Sequence, residues 1–216
     1  TPKISAHGLA TSLAWNIRGD SAYYLDGQVF TAATAVQWLV DNDLLASPEA
    51  IDLLPDARGV MAAPGFAGYG APLWKPHATA SIAGLTLSHG KGEIARAMVD
   101  GIAAQVADLL GAIAADGVAA KELRVDGGLT QSHTLMQMQA DLAQVNIEVY
   151  PHPDATAMGV ANLAAMATNS ALNLGDFASS WKPVERYSPK WSADRAQSYL
   201  TQWRALPANA LESAHE

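Results

Sequence analysis

Leu123-Arg124-Val125-Asp126-Gly127-Gly128-Leu129-Thr130-Gln131-Ser132 is the stretch on which the fold turns. A short strand-like run ends, two glycines reverse the chain, and a helix-forming run begins near Ser132. At such a junction the N–H groups of the turn and of the first helical residues lack partners and point outward with the positive end of the helix dipole. Glycine lets an anion come close to that backbone, so Gly127 and Gly128 form a candidate phosphate site. The plain alternative is a tight strand-to-helix turn, and one Gly-Gly pair does not decide between them.

Reading outward, the chain continues with a helix near residues 132–144, a strand at 147–150 and a helix at 155–168. Strands that alternate with helices need crossover connections, hence a sheet that is at least partly parallel. Asp154-Ala155-Thr156-Ala157-Met158-Gly159 repeats the junction, with Asp154 placed as a helix cap and Gly159 suited to close helix-to-sheet packing. Upstream lies the longest helix, residues 91–115, whose apolar stripe runs through Ile94, Met98, Ile102, Val106 and Ile113. Before it come a hairpin (strands 9–15 and 21–25, turn 16–20 containing Arg18-Gly19-Asp20) and a helix over 30–39. A short helix then starts at Ser47-Pro48, followed by strands at 59–64 and 81–85. Residues 64–74 are rich in Gly, Pro and aromatics, a structured loop rather than a linker. A helix capped by Ser192 closes the chain. The expectation is one α/β domain over residues 1–206, a mixed β-sheet flanked by helices, with 207–216 as a frayed tail. The Arg-Gly-Asp tripeptide reads as a polar hairpin tip.

Composition removes several classes of function. The 216 residues carry 21 acidic against 13 basic side chains, a net charge of −8, with no basic stripe, so nucleic acid is not an expected partner. The absence of cysteine excludes disulfides, thiolate metal sites and a cysteine nucleophile. His7, His77, His89, His133, His152 and His215 are scattered without metal-ligand spacing. Neither a Gly-x-Ser-x-Gly elbow nor a P-loop lysine motif is present. No run of about 20 consecutive apolar residues is seen, and no signal peptide follows Thr1. A soluble, cytoplasmic protein is expected, although a start further upstream would leave room for a targeting segment.

Six ordered blocks carry a resemblance to a known family: residues 8–15, 24–39, the aromatic loop 66–74, a signature running from Ala80 to Asp100, residues 123–128, and Thr156-Ala157-Met158-Gly159. The chain resembles the C-terminal domain of the FGGY carbohydrate kinases and looks most like their glycerol-phosphorylating branch. The resemblance implies a ribonuclease H-like, actin-like ATPase fold, two such domains flanking a cleft, and ATP with Mg2+ bound there, largely on the C-terminal domain. The sugar or polyol would lie mostly on the N-terminal one. By position, Gly128, beside Gly127, would give its N–H to the nucleotide phosphates, and Gln37 would lie near the adenine or ribose. Ala33 stands where the family usually has Gly, and Ser132 where an Asn is common. Lys75 and Thr79 replace an Asp and an Arg. The family's general base, an Asp in a Gly-Asp-Gln context, does not precede Gly8, so no catalytic residue is expected in this segment and turnover by it alone is not expected. The implied function is the ATP-binding half of a kinase that moves the γ-phosphate to a hydroxyl of glycerol or a related polyol or sugar. The alternatives are a xylulose- or gluconate-type kinase and a non-catalytic actin-like nucleotide-binding module. Homo-oligomerisation is left open.

Overall fold

The computed structural model describes residues 2–151, 154–178 and 182–211. Strands β1 (Ala10–Ile17) and β2 (Asp20–Asp26) pair antiparallel, with Ile17 opposite Asp20. Arg18 and Gly19 make the turn with φ of 54° and 87°. Two positive-φ residues give a turn whose twist matches that of the strands, so pairing extends into what reads in sequence as a five-residue turn. The Arg18 guanidinium donates to the carbonyls of Met166 (3.1 Å) and Leu172 (3.3 Å). Its tripeptide is thus a polar tip, held to the chain itself. Leu13, Trp15, Tyr23 and Tyr24 of the hairpin stay exposed.

The core is organised by helix α2 (Lys91–Ala115), preceded in chain order by α1 (Ala33–Asp41), a 3₁₀ helix (Pro48–Leu53), β3 (Met61–Ala63) and β4 (Ser81–Ala83). Glu93 accepts from the Gly90 N–H at 3.0 Å, which closes the first turn of α2. Small side chains at Ala95, Ala97, Ala103 and Ala104, all buried, let neighbours lie close. Gly101 is the extreme case: a Cβ there would sit 2.2 Å from the Ala62 carbonyl oxygen of β3. Strands β3 and β4 pair antiparallel. Among the described residues α2 alone is long and apolar enough to cross a membrane, but 67% of that apolar window is buried inside the protein, as befits a core helix.

Strands β5 (Glu122–Val125) and β6 (Asn146–Val149) are parallel, connected through α3 (His133–Ala143). After α4 (Ala155–Thr168) and α5 (Leu174–Ala178), β7 (Glu185–Tyr187) adds antiparallel to β6. Arg124, Glu148 and Arg186 stand opposite one another across the three strands. The buried Glu148 carboxylate pairs with both guanidiniums. The mixed sheet is therefore this three-stranded one, whereas the hairpin and β3–β4 form separate two-stranded sheets. Patterning identifies strands but not which edges meet, because pairing is non-local.

Helix α4 departs from expectation. Asp154 stands at its N-cap without a side-chain hydrogen bond, and a Cβ on Gly159 would meet nothing within 4 Å. Met166 is the one fully buried residue of α4, so Gly159 serves no close packing. Helix α6 (Ala193–Trp203) is capped as expected, Ser192 Oγ accepting from the Arg195 N–H at 3.3 Å. It brings the Trp203 indole N–H to the Ala62 carbonyl at 2.9 Å. A last short helix, α7 (Ala205–Ala208), buries Pro207, so packing runs past Leu206.

The N-terminal segment is strapped onto the end of α2. Asp116 is 6% exposed and accepts from the Ser5 hydroxyl and, at 3.0 Å, from the Ala6 N–H, with the His7 ring nitrogen at 2.9 Å. The Ser5 hydroxyl, His7 and the Ala6 N–H hold its carboxyl down to about 2. Because the folded value lies below the unfolded one, near 4, this stabilisation is present above pH ~4 and fades as pH falls towards 2. Asp116→Asn should therefore melt below the parent at neutral pH, and the gap should close across that acid window. Thermal melts followed by circular dichroism measure it; a gap that does not change with pH would refute the assignment.

Candidate functional site

β5 ends at Val125, and Gly127 follows with φ 94° and ψ 173°, a region open essentially to glycine. Helix α3 does not begin there. A 3₁₀ turn (Gly128–Gln131) intervenes, closed by the Thr130 N–H and hydroxyl, which donate to the Gly127 carbonyl at 3.1 and 2.7 Å. The N–H groups of Gly127 and Gly128 have no acceptor among the described residues. A Cβ at either would meet nothing within 4 Å, so both face open space. This is a backbone surface that an anion can approach.

The start of α3, by contrast, already holds a carboxylate. Asp52, from the 3₁₀ helix Pro48–Leu53, accepts from the Ser132 hydroxyl (2.9 Å) and from the Thr134 (2.8 Å) and His133 (3.1 Å) N–H groups. Ser132 Oγ in turn accepts from the Leu135 N–H at 3.2 Å. Burial pushes the Asp52 carboxyl up, but the hydrogen bonds from Thr134, Ser132 and His133 together outweigh it and leave it below the ordinary range. Eighty residues separate Asp52 from Ser132, and no local signal marks the pair. The helix end that reads in sequence as an anion site is filled from within, and the free donors are those of the glycine turn.

Two recesses flank this turn. One, of 260 Å3, is bounded by Pro48, Asp52, Gly128, Ser132 and His133; the other, of 310 Å3, by Gly127, Gly128, Tyr150 and Glu185. His133 Nδ1 lies 2.6 Å from the Tyr187 hydroxyl and 3.2 Å from Glu185, which orients the ring at the rim. Of the residues expected at a nucleotide site, the structure brings Gly127, Gly128 and Ser132 together. Ala33 and Gln37 lie one turn apart on the exposed side of α1, opposite its buried Ala35, Val36 and Leu39, and line neither recess. The Gln37 amide donates to Asp41 at 2.8 Å. Among the described residues no three His, Asp or Glu side chains gather as metal ligands.

Comparison with known proteins settles the lineage. The sequence profile of the FGGY family of carbohydrate kinases, C-terminal domain, matches residues 1–168. The chain belongs to this family. Glycerol kinase of Aromatoleum aromaticum is 37% identical over 209 residues, covering 94% of this chain and 42% of that enzyme. Glycerol kinase of Burkholderia pseudomallei is 38% identical over 210 residues, with the same coverage. The chain thus spans about two-fifths of the length of these relatives. Among solved structures, Plasmodium falciparum glycerol kinase with ADP superposes with a TM-score of 0.86 at 27% identity, over 97% of this chain and 43% of that one. Xylulose kinase from Rhodospirillum rubrum, at 24% identity and a TM-score of 0.76 over 93% of this chain and 42% of that one, shares the fold. The ribonuclease H-like, actin-like architecture of the FGGY kinases is therefore the fold of this domain.

Two departures from the FGGY pattern have a visible structural use. Lys75 Nζ donates to the carbonyls of Pro207 (3.3 Å) and Ala208 (2.5 Å), and the Thr79 N–H and hydroxyl donate to the Leu211 carbonyl at 2.9 and 3.1 Å. Both residues anchor the C-terminal segment of this FGGY domain.

Proposed function

We propose that this chain is the nucleotide-binding half of an ATP-dependent carbohydrate kinase that transfers the γ-phosphate to a hydroxyl of glycerol or a related polyol or sugar. The observation that carries the reading is the open Gly127-Gly128 turn, with its two unpaired N–H groups, in an FGGY C-terminal domain. In it, Gly127 and Gly128 hold the phosphates, and Ala33 and Gln37 offer a face of α1 to the base or ribose. Ser132 acts by fixing α3 to Asp52 rather than by reaching the base, since its hydroxyl is engaged on both sides. That the relatives are glycerol kinases favours glycerol as the acceptor. Mg2+ would enter with the nucleotide, bound chiefly by its phosphates and by water, and would neutralise their charge. Phosphoryl transfer rests on positioning and charge stabilisation from both walls of a cleft. The role of these residues is accordingly to bind and orient, and the acceptor and the general base belong to the other wall.

Calorimetric titration with Mg-ADP tests this. Weak, saturable binding is expected, and Gly127→Val, which forces a branched side chain into a glycine conformation at the phosphate turn, should weaken it by about tenfold or more, equal to ~1.4 kcal/mol. Absence of saturable binding, or equal binding by a folded Gly127→Val, would count against the site. In a coupled assay with glycerol and ATP this polypeptide alone should show no turnover; measurable turnover would overturn the division of labour.

A further inference from the structure

The sequence carries four Asp-Gly pairs, Asp26-Gly27, Asp100-Gly101, Asp116-Gly117 and Asp126-Gly127, and no Asn-Gly pair. At such a pair the glycine nitrogen, with no side chain beside it, can attack the aspartate carboxyl carbon. The N–Cγ bond forms, a Cγ–O bond breaks, and the proton of the nitrogen leaves with the carboxyl hydroxyl as one water, which closes a succinimide ring. Water then reopens the ring. Attack at Cγ restores aspartate, whereas attack at the main-chain carbonyl carbon reroutes the backbone through Cβ and Cγ as isoaspartate. Because the chemistry is common to all four pairs, the fold decides which of them reacts. The step needs a nitrogen without another partner, room for the ring, and a carboxyl that can take up a proton.

Three pairs fail on structure. Asp26 is half-buried and paired with Ala10 across the hairpin, and Leu109 Cδ2 lies 2.5 Å from where a Cβ on Gly27 would stand. Asp100 has the more reactive carboxyl, pushed up to about 6 by burial against the opposing effect of Arg96. Its Gly101, however, lies inside α2, where the N–H belongs to the helix ladder and the Ala62 carbonyl crowds the site. Asp116 is buried and held ionised by the Ser5 hydroxyl, His7 and the Ala6 N–H, and the Gly117 N–H donates to the Ala114 carbonyl at 2.8 Å. Asp126 is the opposite case. It is exposed, its carboxyl has no hydrogen-bond partner among the described residues, and the Gly127 N–H has no acceptor among them either. A Cβ on Gly127 or Gly128 would meet nothing within 4 Å, so the ring has space.

We propose that Asp126-Gly127 is a site of spontaneous isoaspartate formation, selected by the fold from the four Asp-Gly pairs, with water as the only co-reactant. Isoaspartate lengthens the main chain by one carbon just before the two free N–H groups and leaves a carboxylate on the backbone beside them. The modification stands on the geometry of the turn alone. Its effect on phosphate binding rests on the nucleotide reading: an anion held by the Gly127 N–H would keep that nitrogen from the carboxyl, and an aged turn would repel the anion.

The test is incubation of the folded chain in ¹⁸O-labelled water at neutral pH, followed by peptide mapping in a mass spectrometer, since each ring opening writes one labelled oxygen into the aspartate. The Asp126 peptide should take up label and isoaspartate at least about tenfold faster than the other three, whose reaction requires local opening of the fold. In urea the four rates should converge. Asp126→Glu, which keeps the charge but would have to close a larger ring, should silence that peptide. Equal labelling of the four pairs in the folded chain, a lead by Asp100 or Asp116, a lead of Asp126 that persists in urea, or undiminished labelling in Asp126→Glu would each overturn the proposal. Saturating Mg-ADP should slow the reaction at Asp126 and leave the other three unchanged. Unslowed labelling there would count against the nucleotide reading and leave the modification site standing.

Discussion

Replacing Trp203 with alanine is expected to lower the unfolding free energy by about 4 kcal/mol or more, a large share of the roughly 5–15 kcal/mol that holds an ordinary domain together. The side chain is 1% exposed and belongs to the same core as Met98, Ile102 and Val60. Truncating a buried aromatic removes its transfer free energy and leaves a cavity, together about 3–5 kcal/mol. The indole N–H also satisfies the Ala62 carbonyl, and a buried acceptor left unpaired adds about 1 kcal/mol or more. Trp203→Phe keeps much of the volume but not the hydrogen bond, so it should fall between the two. Denaturant unfolding followed by circular dichroism gives both values. A loss under about 2 kcal/mol for Trp203→Ala would mean that α6 recloses over the gap, and that the ring is not the keystone the burial suggests.

Gly101→Ala should have the next largest effect, against the usual rule. Alanine is favoured over glycine inside a helix by about 1 kcal/mol. Here, however, the new methyl carbon would lie 2.2 Å from the Ala62 carbonyl oxygen and 2.9 Å from Pro64 Cδ. A main-chain oxygen in a strand cannot swing aside as a flexible side chain can, so α2 and β3 must part. Overpacking of this kind costs ~3 kcal/mol or more, for a net loss of about 2. Gly111, on the same helix, is the control: its methyl would meet one atom of Arg204, at 3.9 Å, so Gly111→Ala should stabilise by roughly 0.5–1 kcal/mol. If both glycines respond alike, the close approach at Gly101 is not what constrains it. Because Trp203 and Gly101 meet the same Ala62 carbonyl, the two losses should not add in the double variant.

Much of this was legible in sequence where the signal is local. Helix α2, strand β5 and helix α4 fall on the residues that periodicity and turn chemistry mark, Lys91–Ala115, Glu122–Val125 and Ala155–Thr168. The glycine turn was legible for the same reason, since Gly-Gly after a strand marks a tight turn, and Gly127 indeed takes a backbone conformation that other residues resist. The illegible parts are contacts between distant segments. Asp52 closes the start of α3 from 80 residues away, Arg18 reaches the end of α4, and Lys75 and Thr79 hold residues beyond 200. Charged and hydroxyl side chains that read as solvated loop residues turn out to satisfy main-chain groups elsewhere. Ala33 and Gln37 show the same limit: the helix that carries them was readable, but that they line neither recess beside the glycine turn is a matter of packing between α1 and its neighbours.

The Lys75 and Thr79 contacts carry a practical consequence for handling the protein. Residues 205–211 serve as a plug whose carbonyls are the partners of two loop side chains, and Pro207 is among the most deeply buried residues. An affinity handle or fluorophore therefore belongs beyond Leu211, whereas a cut at Leu206 would strand an ammonium and a hydroxyl and uncork the floor beneath β3 and β4.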